Sequence, residues 1–257
     1  MPKSTKKIIN YPFVALRGKV IFPDTVSSFD AGRLISLTAV SRASEREMTL
    51  FVSMQKDPSK DEIGPDDVCA VGTVVKIRQI AKLPSNNLRL TVAGICRAKA
   101  EEIYEEDGCL YANVCELKAV HGDPVLEEAY FRTAQDVMRD IQSGDPRFPK
   151  EAAAVLENIT DPDAYIGNAL GYLHIKEETK QKILETVGVV VRLKLFERCL
   201  NDELEIAKLE KKISAAVRQS IDKNQKEYFL REQLKAIHSE LGADVAERDT
   251  LAEKSKA

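Results

Sequence analysis

QKEYFLREQLKAIHSELG, residues 225–242, is the stretch from which the rest of the chain is read. It is made of strong helix formers. Leu230, Leu234, Ile237 and Leu241 recur at steps of four, three and four, the spacing that lines one face of a helix. Asp222 with Lys226, and Glu227 with Arg231, add acid-first pairs four residues apart, the better orientation for helix support. Gly242 stands where a left-handed C-cap is expected.

Upstream of this stretch neither proline nor glycine interrupts the chain back to Gly188. One helix of about 54 residues, on the order of 80 Å at 1.5 Å per residue, is therefore predicted over 188–242. Its apolar stripe is broken. Leu193, Phe196, Leu200 and Leu204 share one face, then a step of two leads to Ile206, Leu209, Ile213, Val217 and Ile221, and another step of two separates Tyr228 from Leu230. Each such step turns the stripe by roughly 200°, so the helix is expected to meet different partners at different heights. Tyr228, Phe229, Leu230, Leu234 and Ile237 are the candidates for a contact with another chain. Residues 243–257 lack apolar periodicity and are expected to form a mobile tail.

Two further regions precede the helix. Residues 11–121 read mainly as strands, with a helical spacing over residues 33–47. The clearest unit is a hairpin in which Val71, Thr73, Val75 and Ile77 alternate with more polar positions. Residues 84–87 supply its turn, and Leu88, Leu90 and Val92 resume the alternation. A second strand pair is expected around Asp107-Gly108. Short strands at this density suggest a small barrel or sandwich. After His121-Gly122 the composition shifts: Asp123-Pro124 and Asp161-Pro162 each place an N-cap before a proline at the first helical position. Helices near 124–144, 150–158, 162–173 and 176–187 predict a compact bundle. The expected class is α+β, with domains at 1–121, 122–187 and 188–242 ahead of the tail.

Bulk chemistry excludes several functions. With 257 residues, 44% hydrophobic and 31% charged, the chain can fill two cores. A net charge of -3 gives no long-range attraction to nucleic acid or an anionic membrane. No secretory signal follows Lys3, Lys6 and Lys7, and no apolar run approaches the roughly 20 residues of a membrane span, which predicts a cytoplasmic protein. The five cysteines form no CxxC pair and read as buried thiols, not as a metal or disulfide framework.

Catalytic patterns are missing too. None of the twelve glycines has the spacing of a phosphate-binding loop, and neither HExxH nor GxSxG occurs. His121, His174 and His238 are far apart in sequence, and His238 is expected to be exposed. The acidic runs 57–67 and 101–107 read as solvated loops. No catalytic residue and no metal ligand is assigned.

Two stretches resemble a known family. Residues 225–242 resemble the segment, close to QREYFLREQLKAIQKELG, by which the Lon family of ATP-dependent proteases joins its N-terminal region to its ATPase module. His238 stands where glutamine is common. YPFVALRGKVIFPD, residues 11–24, resembles the opening of that family's substrate-binding domain, which has a PUA-like fold. The resemblance covers most of residues 8–245. It implies a PUA-like β domain, a helical bundle and a neck helix. It also implies a partner set of unfolded or damaged proteins and a homohexamer in the full-length family. ATP, magnesium and a serine and lysine dyad belong to family segments C-terminal to the match, so none is expected in this chain. For the substrate surface, apolar turn residues are the candidates: Ile21, Phe22 and Pro23 in one loop, Leu83 and Pro84 at the hairpin tip. Ile21 and Phe22 could equally fill the barrel core. Two other readings stay open, a PUA-like RNA-binding module and a stand-alone protein-interaction module. Few aromatics and an acidic balance weigh against RNA.

Overall fold

The computed structural model describes residues 7–144 and 148–254, with side chains given except for Ser85 and residues 238–254. The expectations for the first six residues, for the side chains of His238 and Leu241, and for residues 255–257 of the tail lie outside the described residues.

Six strands make one sheet. They are β1 (Ile8–Leu16), β2 (Val26–Ala31), β3 (Thr49–Met54), β4 (Val71–Lys82), β5 (Leu88–Glu106) and β6 (Cys109–Glu116), with helix α1 (Leu34–Ser44) between β2 and β3. β1 runs parallel to β3 and antiparallel to β6, while β3, β4, β5 and β6 pair in antiparallel succession. Because β6 pairs with both β1 and β5, five strands close into a ring. β2 stays outside that ring, paired only with the first half of β5.

The 19-residue β5 serves both halves of the sheet because it bends. Register shifts interrupt its ladders opposite Val74/Val75 and Ile77/Gln79, and again between Ala100 and Glu102. An extra residue in one strand of a pair bends it and increases its twist, which lets one strand turn a corner of a barrel. The acidic residues at 101–106, expected as a solvated loop, belong to this strand, where Glu102, Glu105 and Glu106 pair across to β6. Charged side chains are tolerated there because alternate positions of a strand face solvent. Asp107 and Gly108 both take positive φ (50° and 68°), the two-residue turn that matches hairpin twist.

Strand β1 explains its own apolar run. Phe13 and Ala15 enter one buried cluster with Phe51, Val74 and Leu110, while Val14 and Leu16 enter another with Val40, Leu50, Val75 and Leu90. A strand buried on both faces needs no alternation.

Helices α2 (Pro124–Gly144), α3 (Lys150–Glu157), α4 (Pro162–Leu170) and α5 (Glu177–Glu185) follow, then α6 (Val189–Lys254). Asp161 caps α4, its Oδ2 accepting the Ala164 N–H at 2.8 Å, with Pro162 at the first helical position. Asp123 does the same ahead of α2, accepting the Val125 N–H at 2.9 Å.

Two expectations are corrected here, and one strand is added to them. α6 does not stop at Gly242 but runs on to Lys254. A glycine inside a helix costs only about 1 kcal/mol against alanine, and the alanines, glutamates and leucine that follow it are good helix formers, so 243–254 is helix instead of tail. The division at 121 also falls away. The chain forms two compact units, residues 1–204 and 205–257. The strand and helical parts share a core, since Phe22 is buried among Phe131, Tyr165, Ile166 and Phe196, with Val20, Val71 and Ala119 packed against the same cluster. Finally, β2 was not anticipated at all. VSSFDA carries two serines and an aspartate, a composition that strand propensity disfavours and that β5 overrides by pairing.

Candidate functional site

Residues 17–25 link β1 to β2, and nearly every one is tied down. The Val20 N–H donates to Glu177 Oε2 at 2.9 Å, and Thr73 Oγ1 donates to the Ile21 carbonyl at 2.6 Å. Thr25 Oγ1 donates to the Phe22 carbonyl at 2.7 Å, and Asn168 Nδ2 donates to the Asp24 carbonyl at 3.2 Å. Two glycines make room for the loop. A Cβ on Gly94 of β5 would sit 2.1 Å from the Phe22 carbonyl oxygen, and one on Gly167 of α4 would sit 2.8 Å from Phe22 Cβ. Alanine at either position would push the loop away.

The loop is therefore a clasp between barrel and helices, and its apolar residues are the clasp's teeth. Ile21 is 3% exposed within the barrel core and Phe22 7% exposed within the helical core, so neither belongs to a substrate surface. The sequence left both placements open, because an apolar pair in a loop after a glycine suits a binding surface and a core alike. Pro23 is half-buried beside them, Leu83 is half-buried at the hairpin tip, and Pro84 is exposed there. Leu83 donates its N–H to the Asn87 carbonyl at 2.8 Å, closing the turn.

What the clasp leaves open is a groove of about 270 Å³ between residues 19–27 and helices α4 and α5. Lys19, Val26, Asn168, Tyr172, Glu177 and Lys180 line it. Val26 is 72% exposed and Tyr172 40% exposed, the apolar features that sequence reading missed. Lys180 pairs with Glu177 at 2.8 Å. Lys19 lies below its ordinary pKa, chiefly because burial disfavours its charge, and its ammonium donates to the Ser28 carbonyl.

A polar knot holds the helices to β5. Arg97 Nη2 donates to Asp163 Oδ2 at 2.6 Å, and Arg192 Nη1 donates to Asp163 Oδ1. Arg192 also donates to the Thr186 carbonyl at 2.8 Å and the Val187 carbonyl at 3.0 Å, and Arg97 reaches Thr186 at 3.3 Å. Burial pushes Arg192 down to about 9, helped by repulsion from Arg97, and pushes Arg97 down to about 10. Both stay protonated at neutral pH, so two cations hydrogen-bond to the Asp163 carboxylate, with the charge of Asp161 attracting both as well. Burial likewise drives the Tyr165 hydroxyl up to about 12, which leaves it a neutral donor and no base.

Among the described residues no three His, Cys, Asp or Glu side chains come together to hold a metal ion. Among the described residues no helix is long and apolar enough to cross a membrane. The free thiols are buried at Cys109 and Cys115 and half-buried at Cys69, Cys96 and Cys199.

In α6 the buried stripe ends early. Val189, Leu193, Phe196 and Leu200 are buried in the helical core, with Leu204 partly so. From Ile206 to Ile237 the large apolar residues are exposed, with Tyr228, Phe229, Leu230, Leu234 and Ile237 at 49–68%.

A family model described as the ATP-dependent protease La (LON) substrate-binding domain matches residues 10–202. The chain belongs to the Lon substrate-binding domain family. Among Lon relatives, the Lon protease of Clostridioides difficile (strain 630) is 37% identical over 253 residues, covering 95% of this chain and 32% of that protein. Lon protease 1 of Bacillus subtilis (strain 168) is 35% identical over 249 residues, covering 95% of this chain and 32% of its own length. The chain thus spans about a third of the length of the curated Lon proteases it matches. The N-terminal domain of Mycobacterium avium complex Lon protease shares the fold, with a TM-score of 0.61 at 18% identity over 76% of this chain and 99% of that one. The Lon family match ends two residues short of the compact unit 1–204.

Proposed function

We propose that this chain is the substrate-recognition and oligomer-organising region of an ATP-dependent Lon serine protease that degrades misfolded, damaged and regulatory proteins in the cytoplasm. The observation that carries the reading is the coincidence of the family match, 10–202, with a self-contained folded unit, 1–204. Recognition needs apolar surface that meets exposed side chains. Val26 and Tyr172 at the groove, with Pro23 beside them and Leu83 and Pro84 at the hairpin tip, are the residues assigned to it. Tyr228, Phe229, Leu230, Leu234 and Ile237 are assigned to contact between copies, the hexamer being the expected assembly.

ATP and magnesium act outside these residues in this reading. The residues described here do not fit them: the only positive-φ glycines among them, Gly18 and Gly108, sit in turns of the barrel and not at a strand-to-helix phosphate loop. Among the described residues no acidic cluster stands ready for a divalent cation. The chain is accordingly expected to bind without turning over.

The test is direct. Reduced, carboxymethylated lactalbumin carrying a fluorophore should raise its anisotropy on titration with the full chain, the native protein should not, and neither casein cleavage nor ATP hydrolysis should accompany the chain through gel filtration. Equal affinity for native and denatured lactalbumin, or binding to neither, refutes the recognition role.

A further inference from the structure

We propose that the outer edge of β2 receives an extended segment of a non-native polypeptide as an added strand, an inference that rests on the recognition role above and names how the capture is made. β2 is the end strand of the sheet, bonded on one side to β5. The Thr25 carbonyl accepts the Gly94 N–H at 2.9 Å, and backbone groups two residues apart in a strand point the same way. Ser27, Phe29 and Ala31 therefore direct their N–H and C=O groups at β5. Val26, Ser28 and Asp30 direct theirs outward.

A partner for one of those outward groups is already in place. The Lys19 ammonium donates to the Ser28 carbonyl, the position that a peptide N–H of an added strand would take. Proteins commonly guard edge strands with lysines and other charges. This guard is a single flexible side chain that can swing aside; among the described residues β2 has no second strand partner in the sheet, and Val26, Ser28 and Asp30 are exposed.

Both ends of the strand lead to apolar surface. At the Val26 end lies the groove, with Tyr172 in its lining. At the other end Ala31 pairs with Leu88, and Gly32 is so close to Asn87 that a Cβ there would come within 2.7 Å of its Oδ1. Asn87 is the residue that accepts the Leu83 N–H, so the strand's far end abuts the hairpin tip. The six residues between span about 20 Å. The groove, about 270 Å³, falls below the roughly 300–1,000 Å³ of small-molecule sites, and suits a side chain or two of such a segment. Strand addition draws its affinity from main-chain hydrogen bonds, which every unfolded chain offers, and its selectivity from side-chain pockets at alternate positions. That chemistry matches a receptor for non-native protein, whatever the sequence.

Amide hydrogen exchange on the full chain, with and without saturating carboxymethylated lactalbumin, reads the proposal residue by residue. The Val26, Ser28 and Asp30 amides should slow on addition, while Ser27 and Phe29, already bonded to β5, should not change. Ser28→Pro removes an outward donor and leaves the β2–β5 ladder intact, so affinity should fall about tenfold. The melting temperature should stay within about 2 °C. If that variant fails to fold, the wild-type chain is offered a short valine and threonine peptide with alternate amides N-methylated, which should bind about tenfold less than the unmethylated peptide. Undiminished binding to S28P, or to the N-methylated peptide, with no alternating protection in β2, overturns strand addition and leaves the recognition role standing. Protection of Val26, Ser28 and Asp30 that grows with concentration of the chain alone assigns the edge to a second copy and overturns it as well. Absence of any lactalbumin binding by the wild-type chain is the separate result that defeats the recognition role itself.

Discussion

Asp163 is the residue on which most depends for its size. Its two oxygens are the carboxylate partners for Arg97 on β5 and Arg192 in the first turn of α6, both nearly buried. Breaking a buried pair by removing one partner costs far more than the pair is worth in isolation, because an uncompensated charge is left in a poor solvent. Asp163→Asn keeps the shape and removes the charge, leaving two guanidiniums hydrogen-bonded to carbonyls, with Asp161 acting on them through its charge. The expected loss is about 3 kcal/mol, at the low end for a buried pair because Asp163 is itself 25% exposed. For a unit of this size that lowers the melting temperature by roughly 6–12 °C. A change of less than about 2 °C would mean that water satisfies the arginines and that the knot is ornamental. None of this was legible beforehand. Arg97, Asp163 and Arg192 lie in three elements, and only the packing of α4 and α6 against β5 brings them together.

At the scale of elements, legibility followed local chemistry. The β4–β5 hairpin, the Asp107-Gly108 turn and the two Asp-Pro helix starts were readable because each signal is held within a few residues. β2 and the second half of β5 were not, because Val26–Ala31 and the acidic residues after Ala100 become strands by pairing with a partner far away in sequence. The candidate site divided the same way. Exposure of the α6 residues from Ile206 to Ile237 could be suspected from the broken stripe, whereas the burial of Ile21 and Phe22 depended on Gly94 and Gly167 clearing space for them. That α6 stripe carries a prediction of its own. A helix with exposed apolar residues and no partner in its own chain gains by covering them, since each buried CH₂ contributes about 0.8 kcal/mol. Sedimentation of the full chain should show concentration-dependent association, and the double substitution Leu230→Glu and Leu234→Glu should return it to monomer with an unchanged melt of the unit 1–204. Monomeric behaviour of the wild type at high concentration would count against any role for the stripe between copies.

For the unit 1–204 as a whole, the shared core predicts that barrel and helices melt together. Phe22 hangs from the barrel's first loop yet is buried among α2, α4 and α6 residues, so neither part can lose its packing privately. Phe22→Ala should lower one common transition, by about 3–5 kcal/mol, whether it is followed by far-ultraviolet circular dichroism or by exchange of strand amides. Two transitions, only one of them shifted, would show that the barrel and the bundle are separate domains after all.

The ring closure of the sheet also sets a clock. Ile8 pairs with Cys115, a separation of 115 − 8 = 107 residues, so the first strand made must wait for the last. At synthesis rates of about 5–20 residues per second, that wait is on the order of 5–20 s. Through it the edge of Ile8, Ile9 and Tyr11 stays unpaired on the ribosome. A chain proposed to hold extended segments of other proteins thus spends the first seconds of its own life presenting one.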